Sequence, residues 1–408
     1  MSSLQIEIDP AEAGFDPERL QRVDRHFARY VDDGRLPGWL LLIARGGRIA
    51  HLSTCGHRDI AAGAPVEHDS LFRIYSMTKP ITSVAAMMLW EEGAFELTDP
   101  VSDFIPSFAD VRVYTGGPAR APQTRPAAEP VRIWHLLTHT SGLTYGFHRL
   151  HPTDEIYRIR GYEFGSPADL DLQGVCDEYA SMPLLFEPGT SWNYSVSTDV
   201  LGRVVEVASG MGLDEFFRTR IFEPLGMTDT GFAVPPEKLD RLAALYTADE
   251  HGKAAVPRSS AVPKTPPKAL SGGGGLVSSA HDYHRFTSML LGRGQLDGVR
   301  LLGDRTVRYM SRNHLPGGVH LDQIAHGAFS EVTNAGKGFG LGFAVVEDPV
   351  AARQIATPGE LSWGGLASTA FWVDPAEELT AVFLTQLVPS GTHPIRSQLH
   401  QMIYQALV

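Results

Sequence analysis

The sequence predicts an α+β fold in which strands from both ends of the chain share one mostly antiparallel sheet flanked by helices. The apolar run 39–44 predicts a strand, and residues 49–54 predict a second one after the tight turn Arg45-Gly46-Gly47-Arg48, an arrangement that is typical of a β-hairpin. Three later runs are rich in β-branched and aromatic residues and are bounded by Gly, Pro or Asp: 340–346, 367–373 and 379–387. Because helical patterns fill the sequence between these two groups, the helices must pack beside the sheet as an insertion.

Helical periodicity places the remaining elements. Apolar residues recur at helical spacing over 10–34, 81–90, 131–138, 170–182, 199–210, 213–221, 279–291 and 394–407. Residues 115–130 and 245–270 contain several prolines and little periodicity, so we expect long loops there. The sequence therefore predicts a sheet domain made of residues 1–93 and 271–408, and a mainly helical domain with long loops over residues 94–270.

Composition and charge restrict the class of protein. The chain has 408 residues, of which 43% are hydrophobic and 20% charged, as in a globular protein with a sizeable core. The formal net charge of −12 argues against nucleic acid and anionic membranes as partners. No apolar run is long enough to span a bilayer, and the first residues lack the pattern of a secretory signal. Since Cys55 and Cys176 are the only cysteines, we expect a cytoplasmic protein with reduced thiols.

One short stretch carries candidate catalytic residues. Ser76 and Lys79 are three residues apart, just before the apolar run 81–90, so on a helix both side chains project from one face. A lysine at the end of a buried helix can act as a base for a neighbouring serine, and the helix N-terminus offers N–H groups to a developing oxyanion. We therefore expect Ser76 to be an acyl-accepting nucleophile and Lys79 its activating base. The alternative is that Ser76 or a neighbour caps the helix while Lys79 is solvated, since S-x-x-K is a short pattern.

Three motifs resemble those of a known superfamily. Residues 76–79 have the S-x-x-K form, residues 134–143 read W-H-L-L-T-H-T-S-G-L, and residues 187–195 read E-P-G-T-S-W-N-Y-S. Each is similar to a signature of the serine hydrolases that include class C β-lactamases, penicillin-binding proteins and family VIII carboxylesterases. Further matching segments lie in the same order at 99–100, 222–227 and 271–276. The resemblance covers nearly the whole chain and implies a β-lactamase/transpeptidase-like fold.

Two departures from the β-lactamase motifs indicate the branch of the superfamily. The Y-x-N motif is replaced by Tyr194-Ser195-Val196, so the amide that would contact a β-lactam or a peptide is missing. The K-T-G motif is replaced by Trp363-Gly364-Gly365, which removes the cation that would hold a substrate carboxylate. W-G-G at this place resembles family VIII carboxylesterases. The resemblance therefore implies a serine carboxylesterase that acts on small to medium acyl esters and needs no cofactor.

The same resemblance implies a role for each site residue. Ser76 attacks the ester carbonyl, and Lys79 and Tyr194 act as general acid and base, with the residue that deprotonates Ser76 left open. The backbone N–H groups of Ser76 and Leu366 form the oxyanion hole. The expected pocket residues are Tyr75, Trp363, Gly364, Gly365 and Val196, with the two glycines allowing close approach of the substrate.

Two other patterns suggest different chemistry but lack essential parts. His135 and His139 have the i, i+4 spacing of zinc ligands, but Leu136 stands where a metalloprotease has its glutamate, so we expect structural histidines and no metal. The run of glycines at 272–275 lacks the Lys-Ser/Thr of a phosphate-binding loop, and a flexible turn near the sheet is expected instead. No G-x-S-x-G sequence occurs, which argues against an α/β-hydrolase.

Three alternatives to an esterase stay open at this stage. An acyltransferase would use the same acyl-enzyme but deliver the acyl group to a specific alcohol or amine. A β-lactamase or D-peptidase would need the missing Asn and Lys. A non-catalytic module would have no use for an intact set of Ser76, Lys79 and Tyr194. The expected partner is a small-molecule ester, and the oligomeric state, including a homodimer, stays open.

Overall fold

The computed structural model describes residues 4–257, 266–326 and 335–408. Within these ranges the strands are β1 (Gly38–Arg45), β2 (Arg48–Asp59), β3 (Ala64–Pro65), β4 (Leu71–Arg73), β5 (Arg112–Gly116), β6 (Gln123–Pro126), β7 (Tyr246–Ala248), β8 (Ala254–Pro257), β9 (Val277–Ser279), β10 (Gln295–Leu296), β11 (Val299–Arg300), β12 (Lys337–Phe339), β13 (Ala344–Val346), β14 (Leu361–Gly364), β15 (Ala370–Asp374), β16 (Leu379–Thr385) and β17 (Leu387–Val388). The helices are α1 (Pro17–Asp32), α2 (Thr78–Glu91), α3 (Ile133–Leu137), α4 (Pro152–Ile159), α5 (Leu172–Ser181), α6 (Ser197–Ser209), α7 (Leu213–Phe217), α8 (Glu223–Leu225), α9 (Ala280–Leu291), α10 (Asp304–Met310), α11 (Leu321–Ile324), α12 (Pro349–Ala352) and α13 (Ile395–Tyr404).

The main sheet joins the two ends of the chain, as the sequence predicts. Its eight strands lie in the order β12-β13-β14-β15-β16-β1-β2-β3, and every neighbouring pair is antiparallel. The central pairing of β1 with β16 sets Trp39 opposite Thr385 and Arg45 opposite Leu379. The α+β fold with one antiparallel sheet flanked by helices is therefore confirmed.

Burial explains why the central strands are almost entirely apolar. Every residue of β16 is buried, and β1 is buried except at Arg45, because helices cover both faces of the sheet. On one face α1 and α13 pack together, and α1 starts where the Asp16 carboxylate accepts the N–H groups of Glu18 and Arg19. On the other face α2 and α9 contribute to the larger core. That larger core contains the start of α2, where Lys79 lies.

The helices α3 to α8 lie between the two halves of the sheet in sequence, and α6 packs against α2. The division of the chain at residue 270 stays a prediction. Strands β7 and β8, from the segment assigned to the helical domain, pair with β17 in a separate three-stranded sheet. Residues 258–265 of the predicted loop lie outside the described ranges.

Some boundaries differ from the periodicity. Of the predicted strand over 340–346, only β13 is a strand; the residues before it form the turn that joins β12 to β13, in which Gly340 N–H donates to the Phe343 carbonyl. The predicted helix over 213–221 leaves α-geometry after Phe217 and continues as a π-turn over Arg218–Phe222. None of the helices in the described ranges is both long and apolar enough to cross a membrane.

Candidate active site

Ser76 lies at the entrance to α2, in a short turn over Tyr75–Met77 that precedes the helix. Tyr75 has a φ of 44°, in the left-handed region that residues with a side chain rarely adopt. From Thr78 to Leu89 every residue of α2 is buried, which fixes the helix on all sides. Ser76 is therefore held half-buried at the end of a rigid element.

The structure brings the three predicted catalytic side chains together. Lys79 is 1% exposed, and its Nζ lies 3.3 Å from Oγ of Ser76. The hydroxyl of Tyr194, from the segment just before α6, lies 2.6 Å from the same Oγ. The Tyr194 segment is tied down on either side, since His148 Nε2 contacts the Tyr194 carbonyl at 2.7 Å and Asn193 Nδ2 donates to the Leu143 carbonyl at 3.0 Å.

Lys79 has two further acceptors besides Ser76. Its Nζ donates to the Gly273 carbonyl oxygen at 2.7 Å and to the Tyr145 hydroxyl at 3.0 Å. The same nitrogen lies 4.5 Å from the centre of the Tyr194 ring, close enough for a cation–π interaction. A buried ammonium is costly unless its donors are satisfied, and these contacts supply oxygen partners for three donors.

The backbone N–H groups of Ser76 and Leu366 are available for an oxyanion. Within the described residues neither group has a hydrogen-bond acceptor. Leu366 lies in a tight turn in which Gly365 N–H donates to the Thr369 carbonyl and Ser368 N–H donates to the Gly365 carbonyl, and this turn leaves its N–H unused. Ser76 and Leu366 line the same cavity.

A cavity of about 220 Å³ opens beside Ser76 and has a largely aromatic wall. The aromatic side chains that line it are Tyr75, Tyr145, Phe147, Tyr162, Phe164, Tyr179 and Tyr194. Phe147 stacks between its neighbours, 4.7 Å from the Tyr145 ring and 5.8 Å from the Phe164 ring. The described residues that line this cavity include no Lys or Arg, and the acidic residues among them are Glu163 and Asp199.

The predicted pocket residues are only partly found in this cavity. Tyr75 and Val196 line it, whereas Trp363, Gly364 and Gly365 do not. Trp363 is 3% exposed, and its ring packs against the Tyr194 ring, 5.3 Å away between centres, so it supports the Tyr194 side chain.

The two glycines after Trp363 also differ from the expectation. A Cβ at Gly364 would overlap the guanidinium of Arg396, and a Cβ at Gly365 would overlap the carbonyl oxygen of Ile74. Their missing side chains therefore make room for α13 and for the turn before Ser76, rather than for a substrate.

Comparison with known proteins decides the family. A family model described as Beta-lactamase matches residues 23–401. The chain belongs to the beta-lactamase family. It is 37% identical over 361 residues to an uncharacterised protein of Mycobacterium tuberculosis, covering 88% of each chain. It is also 33% identical over 415 residues to esterase EstB of Burkholderia gladioli, covering 97% of this chain and 98% of the esterase.

Among solved structures, one hydrolase is similar over its full length. EstCE1, described as a hydrolase with promiscuous acyltransferase activity, is 28% identical and superposes with a TM-score of 0.77. The match covers 95% of this chain and 98% of EstCE1. These comparisons confirm the predicted β-lactamase/transpeptidase-like fold and the predicted kinship with esterases of this family.

The residues that surround Lys79 in this beta-lactamase-family site, Tyr145, Gly273 and Asp199, were not predicted from the sequence. Tyr145 comes two residues after the motif that ends at Leu143, so its position was a usable signal. The Gly273 carbonyl and Asp199 gave no such signal, because their roles depend on contacts between distant segments. The Asp199 carboxylate accepts the Ser271 hydroxyl at 2.5 Å and the Gly273 N–H at 3.0 Å.

The glycine run is held in place by two helices. Asp199, on α6, fixes Gly273 from one side, and the Thr82 hydroxyl, on α2, donates to the Gly272 carbonyl at 2.7 Å. A Cβ at Gly273 would lie 2.5 Å from an Asp199 oxygen. The expected flexible turn near the sheet is instead a fixed turn between α2 and α6, and it directs one carbonyl at Lys79.

The two histidines of the motif at residues 134–143 have protein partners. Nδ1 of His135 accepts the Arg132 N–H at 3.0 Å, and Nδ1 of His139 contacts the Ser195 hydroxyl at 3.2 Å. Burial lowers the pKa of His135 to about 3, with a contribution from Arg132, and lowers the pKa of His139 well below its usual value, with contributions from Lys79 and His148. Across the described residues no group of three or more His, Cys, Asp or Glu side chains is placed to hold a metal ion.

Proposed function

We propose that this enzyme is a serine carboxylesterase that hydrolyses small to medium acyl esters through an acyl-enzyme on Ser76. The observation that carries the proposal is the 2.6 Å contact between the Tyr194 hydroxyl and Oγ of Ser76, made beside the buried amine of Lys79. The 33% identity to an esterase over nearly the whole chain supports the reaction class.

In the acylation step, Oγ of Ser76 attacks the carbonyl carbon of the ester while its proton moves to the Tyr194 oxygen. The 2.6 Å separation is that of a strong O–H···O hydrogen bond, whereas the 3.3 Å separation from Lys79 is long for N–H···O. We therefore assign the direct proton exchange to Tyr194. Lys79 supplies a positive charge beside the ring, which favours the phenolate that accepts the proton.

Collapse of the tetrahedral intermediate breaks the ester C–O bond. The Tyr194 hydroxyl gives its proton to the departing alkoxide, so that a neutral alcohol leaves and the acyl group stays on Ser76. Water then attacks the acyl carbonyl as Tyr194 takes its proton, and this proton returns to Oγ of Ser76 when the carboxylic acid is released. Tyr194 therefore takes a proton from Ser76 during acylation and returns one to Ser76 during deacylation.

The negative charge on the carbonyl oxygen forms in front of two backbone donors. The N–H groups of Ser76 and Leu366, both on the cavity wall, are the candidates for the oxyanion hole. Each donor of this kind typically contributes about 3 kcal/mol of transition-state stabilisation. The tight turn after Gly365 and the strained Tyr75 backbone are the local features that aim these two groups.

The cavity favours neutral, apolar ester groups. Its aromatic wall provides dispersion contacts, and the absence of Lys and Arg from its described lining leaves no cation for a substrate carboxylate. β-Lactams and D-peptides carry such a carboxylate. Val196 and Trp363, at the positions of the missing Asn and Lys, therefore favour simple esters over antibiotics.

Acyl transfer is the second candidate, favoured by the similarity to EstCE1 with its promiscuous acyltransferase activity. An alcohol or amine that reaches the acyl-enzyme in place of water completes transfer with the same proton steps. Product analysis with added alcohols separates the two functions. A transferase yields mainly the new ester at alcohol concentrations where an esterase still yields mainly the acid.

The decisive experiment compares Ser76, in the turn before α2, with Ser83, on α2 itself. Ser76→Ala should abolish hydrolysis of p-nitrophenyl acetate and butyrate, while Ser83→Ala should retain it, because Ser83 is buried on α2 without a hydrogen-bond partner in the described chain. A fluorophosphonate should add one adduct to the parent enzyme, on Ser76. Near-normal turnover by Ser76→Ala, or nitrocefin turnover comparable to ester turnover, would reject the proposal.

A further inference from the structure

A second and larger cavity lies under the first turn of α13, away from Ser76. We call it the α13 cavity; it has a volume of about 360 Å³ and is bounded by β14, β15 and the loop before α13. No residue of the described ranges lines both this cavity and the cavity at Ser76. The proposed ester hydrolysis makes no use of the α13 cavity.

The charged groups that line the α13 cavity are of one sign. Lys337, from β12, and Arg396, from α13, both line it, together with His393 and His400. Its described lining residues include no Asp or Glu. The nearby Glu360 carboxylate is held at 3.0 Å from His400 and at 2.7 Å from the Tyr404 hydroxyl.

Lys337 is the most informative residue of the cavity, because its ammonium group is buried and has few hydrogen-bond acceptors around it. The residue is 6% exposed, and in the described chain its Nζ donates a single hydrogen bond, to Gln354 at 2.9 Å. Burial lowers the pKa of Lys337, and Arg396 lowers it further, while Glu360 raises it. An ammonium has three donors, so two of them are left for a ligand in the cavity.

Other donors around the cavity are also unused. The indole N–H of Trp372, which is 1% exposed, and the amide nitrogen of Gln354 have no hydrogen-bond acceptor within the described ranges. The first turn of α13 adds its backbone N–H groups and the positive end of the helix dipole. Water can satisfy neutral donors, but it does not balance the charge of the buried Lys337 ammonium.

We propose that the α13 cavity is a binding site for a small organic carboxylate. The Lys337 ammonium and the Trp372 indole N–H bind the carboxylate oxygens, and Arg396 contributes a second positive charge. The apolar body of the ligand packs against Trp372 and Ile395 on the cavity wall. A carboxylate with a short or flat apolar group fits this lining better than inorganic phosphate, which has no apolar part.

Arg396 links the site to the tight turn that contains Leu366. Its Nη2 donates to the Thr369 carbonyl at 3.0 Å and to the Gly365 carbonyl at 3.3 Å. A ligand at Arg396 is therefore one residue away from the Leu366 N–H. This position gives the carboxylate site a direct structural connection to the ester site.

Calorimetric titration of the full-length Ser76→Ala protein with sodium benzoate, in low-salt buffer, tests the proposal. We expect one site per chain, weakened roughly tenfold or more by Lys337→Met, which keeps the length of the side chain but removes its charge. Lys268→Met removes an exposed lysine and should not change the affinity. Tyr194→Phe should also bind normally, which distinguishes the α13 cavity from the ester cavity.

An NMR measurement on the folded protein shows whether a loss of binding comes from the site itself or from misfolding of a variant. Benzoate should shift the indole N–H resonance of Trp372, assigned as the one lost in Trp372→Phe, and Trp372→Phe itself should bind several-fold more weakly. Failure of benzoate to bind the parent chain would overturn the proposal, as would equal binding by a folded Lys337→Met variant. Tighter binding of phosphate than of benzoate would overturn the assignment to an organic carboxylate.

Discussion

Replacing Tyr145 by phenylalanine removes one of the hydrogen-bond partners of Lys79, the proposed catalytic lysine, while leaving the aromatic wall in place. The Tyr145 hydroxyl lies 3.0 Å from Nζ of Lys79, and its ring stacks on Phe147 in the substrate cavity. The variant therefore separates the positioning of Lys79 from the shape of the pocket. We expect kcat to fall and KM to change little, because the ring that contacts the substrate is retained.

The magnitude follows from the type of contact that is lost. A hydrogen bond to a charged group contributes about 1.5–3 kcal/mol, which corresponds to a loss of about 10- to 150-fold in kcat/KM if the contact is fully used in the transition state. Tyr194→Phe should be more severe, about 10²- to 10⁴-fold, because it removes the group that exchanges the proton with Ser76. The loss of kcat/KM should therefore be larger for Tyr194→Phe than for Tyr145→Phe.

Tyr162→Phe is the matched control. Tyr162 lines the same cavity, and its buried hydroxyl has no hydrogen-bond partner in the described chain, so its loss should change kcat/KM by about twofold or less. Initial rates with p-nitrophenyl butyrate give the kinetic constants, and the rate of fluorophosphonate inactivation reports the reactivity of Ser76 independently. Tyr145→Phe activity within about twofold of the parent enzyme would refute the proposed positioning of Lys79.

Three further predictions concern the surroundings of the site. Gly365→Ala should lower both the melting temperature and kcat, because the added Cβ overlaps the Ile74 carbonyl, just before the turn that holds Ser76. Thermal unfolding measures the first effect, and the rate of ester hydrolysis measures the second. Asp199→Asn should reduce kcat by about tenfold or more, because the turn that directs the Gly273 carbonyl at Lys79 loses a charged acceptor, and steady-state kinetics measure the loss. The free energy of unfolding should fall on acidification from about pH 6.5 toward pH 3, by up to roughly 1.4 kcal/mol per pH unit for His135 alone, in denaturant titrations at several pH values.

The sign of the pH effect follows from which state binds the proton. Burial lowers the pKa of His135 in the folded chain to about 3, so below about pH 6.5 the unfolded chain takes up a proton that the folded chain does not. His135→Gln should make the slope shallower. A slope unchanged by this substitution, an unaltered melting temperature for Gly365→Ala, or full activity in Asp199→Asn would each contradict the corresponding contact.

The sequence by itself determined the parts of this protein that depend on local pattern and motif order. Periodicity located the hairpin of β1 and β2 and most of the helices, and the order of the motifs identified the family. The three-residue spacing of Ser76 and Lys79 was enough to predict that the two side chains lie side by side, because one turn of helical backbone fixes that relation locally, although Ser76 itself lies in the short turn just before α2.

Only the tertiary structure decided what surrounds Lys79 and which residues line the cavities. The Lys79 contacts with Tyr145 and Gly273 join residues 66 and 194 positions apart, and neither follows from any local periodicity. Likewise, Gly364 owes its missing side chain to Arg396 on the last helix, and the same arginine lines the α13 cavity. Such roles arise from packing between distant segments, where burial and competition for hydrogen-bond partners determine what each side chain does.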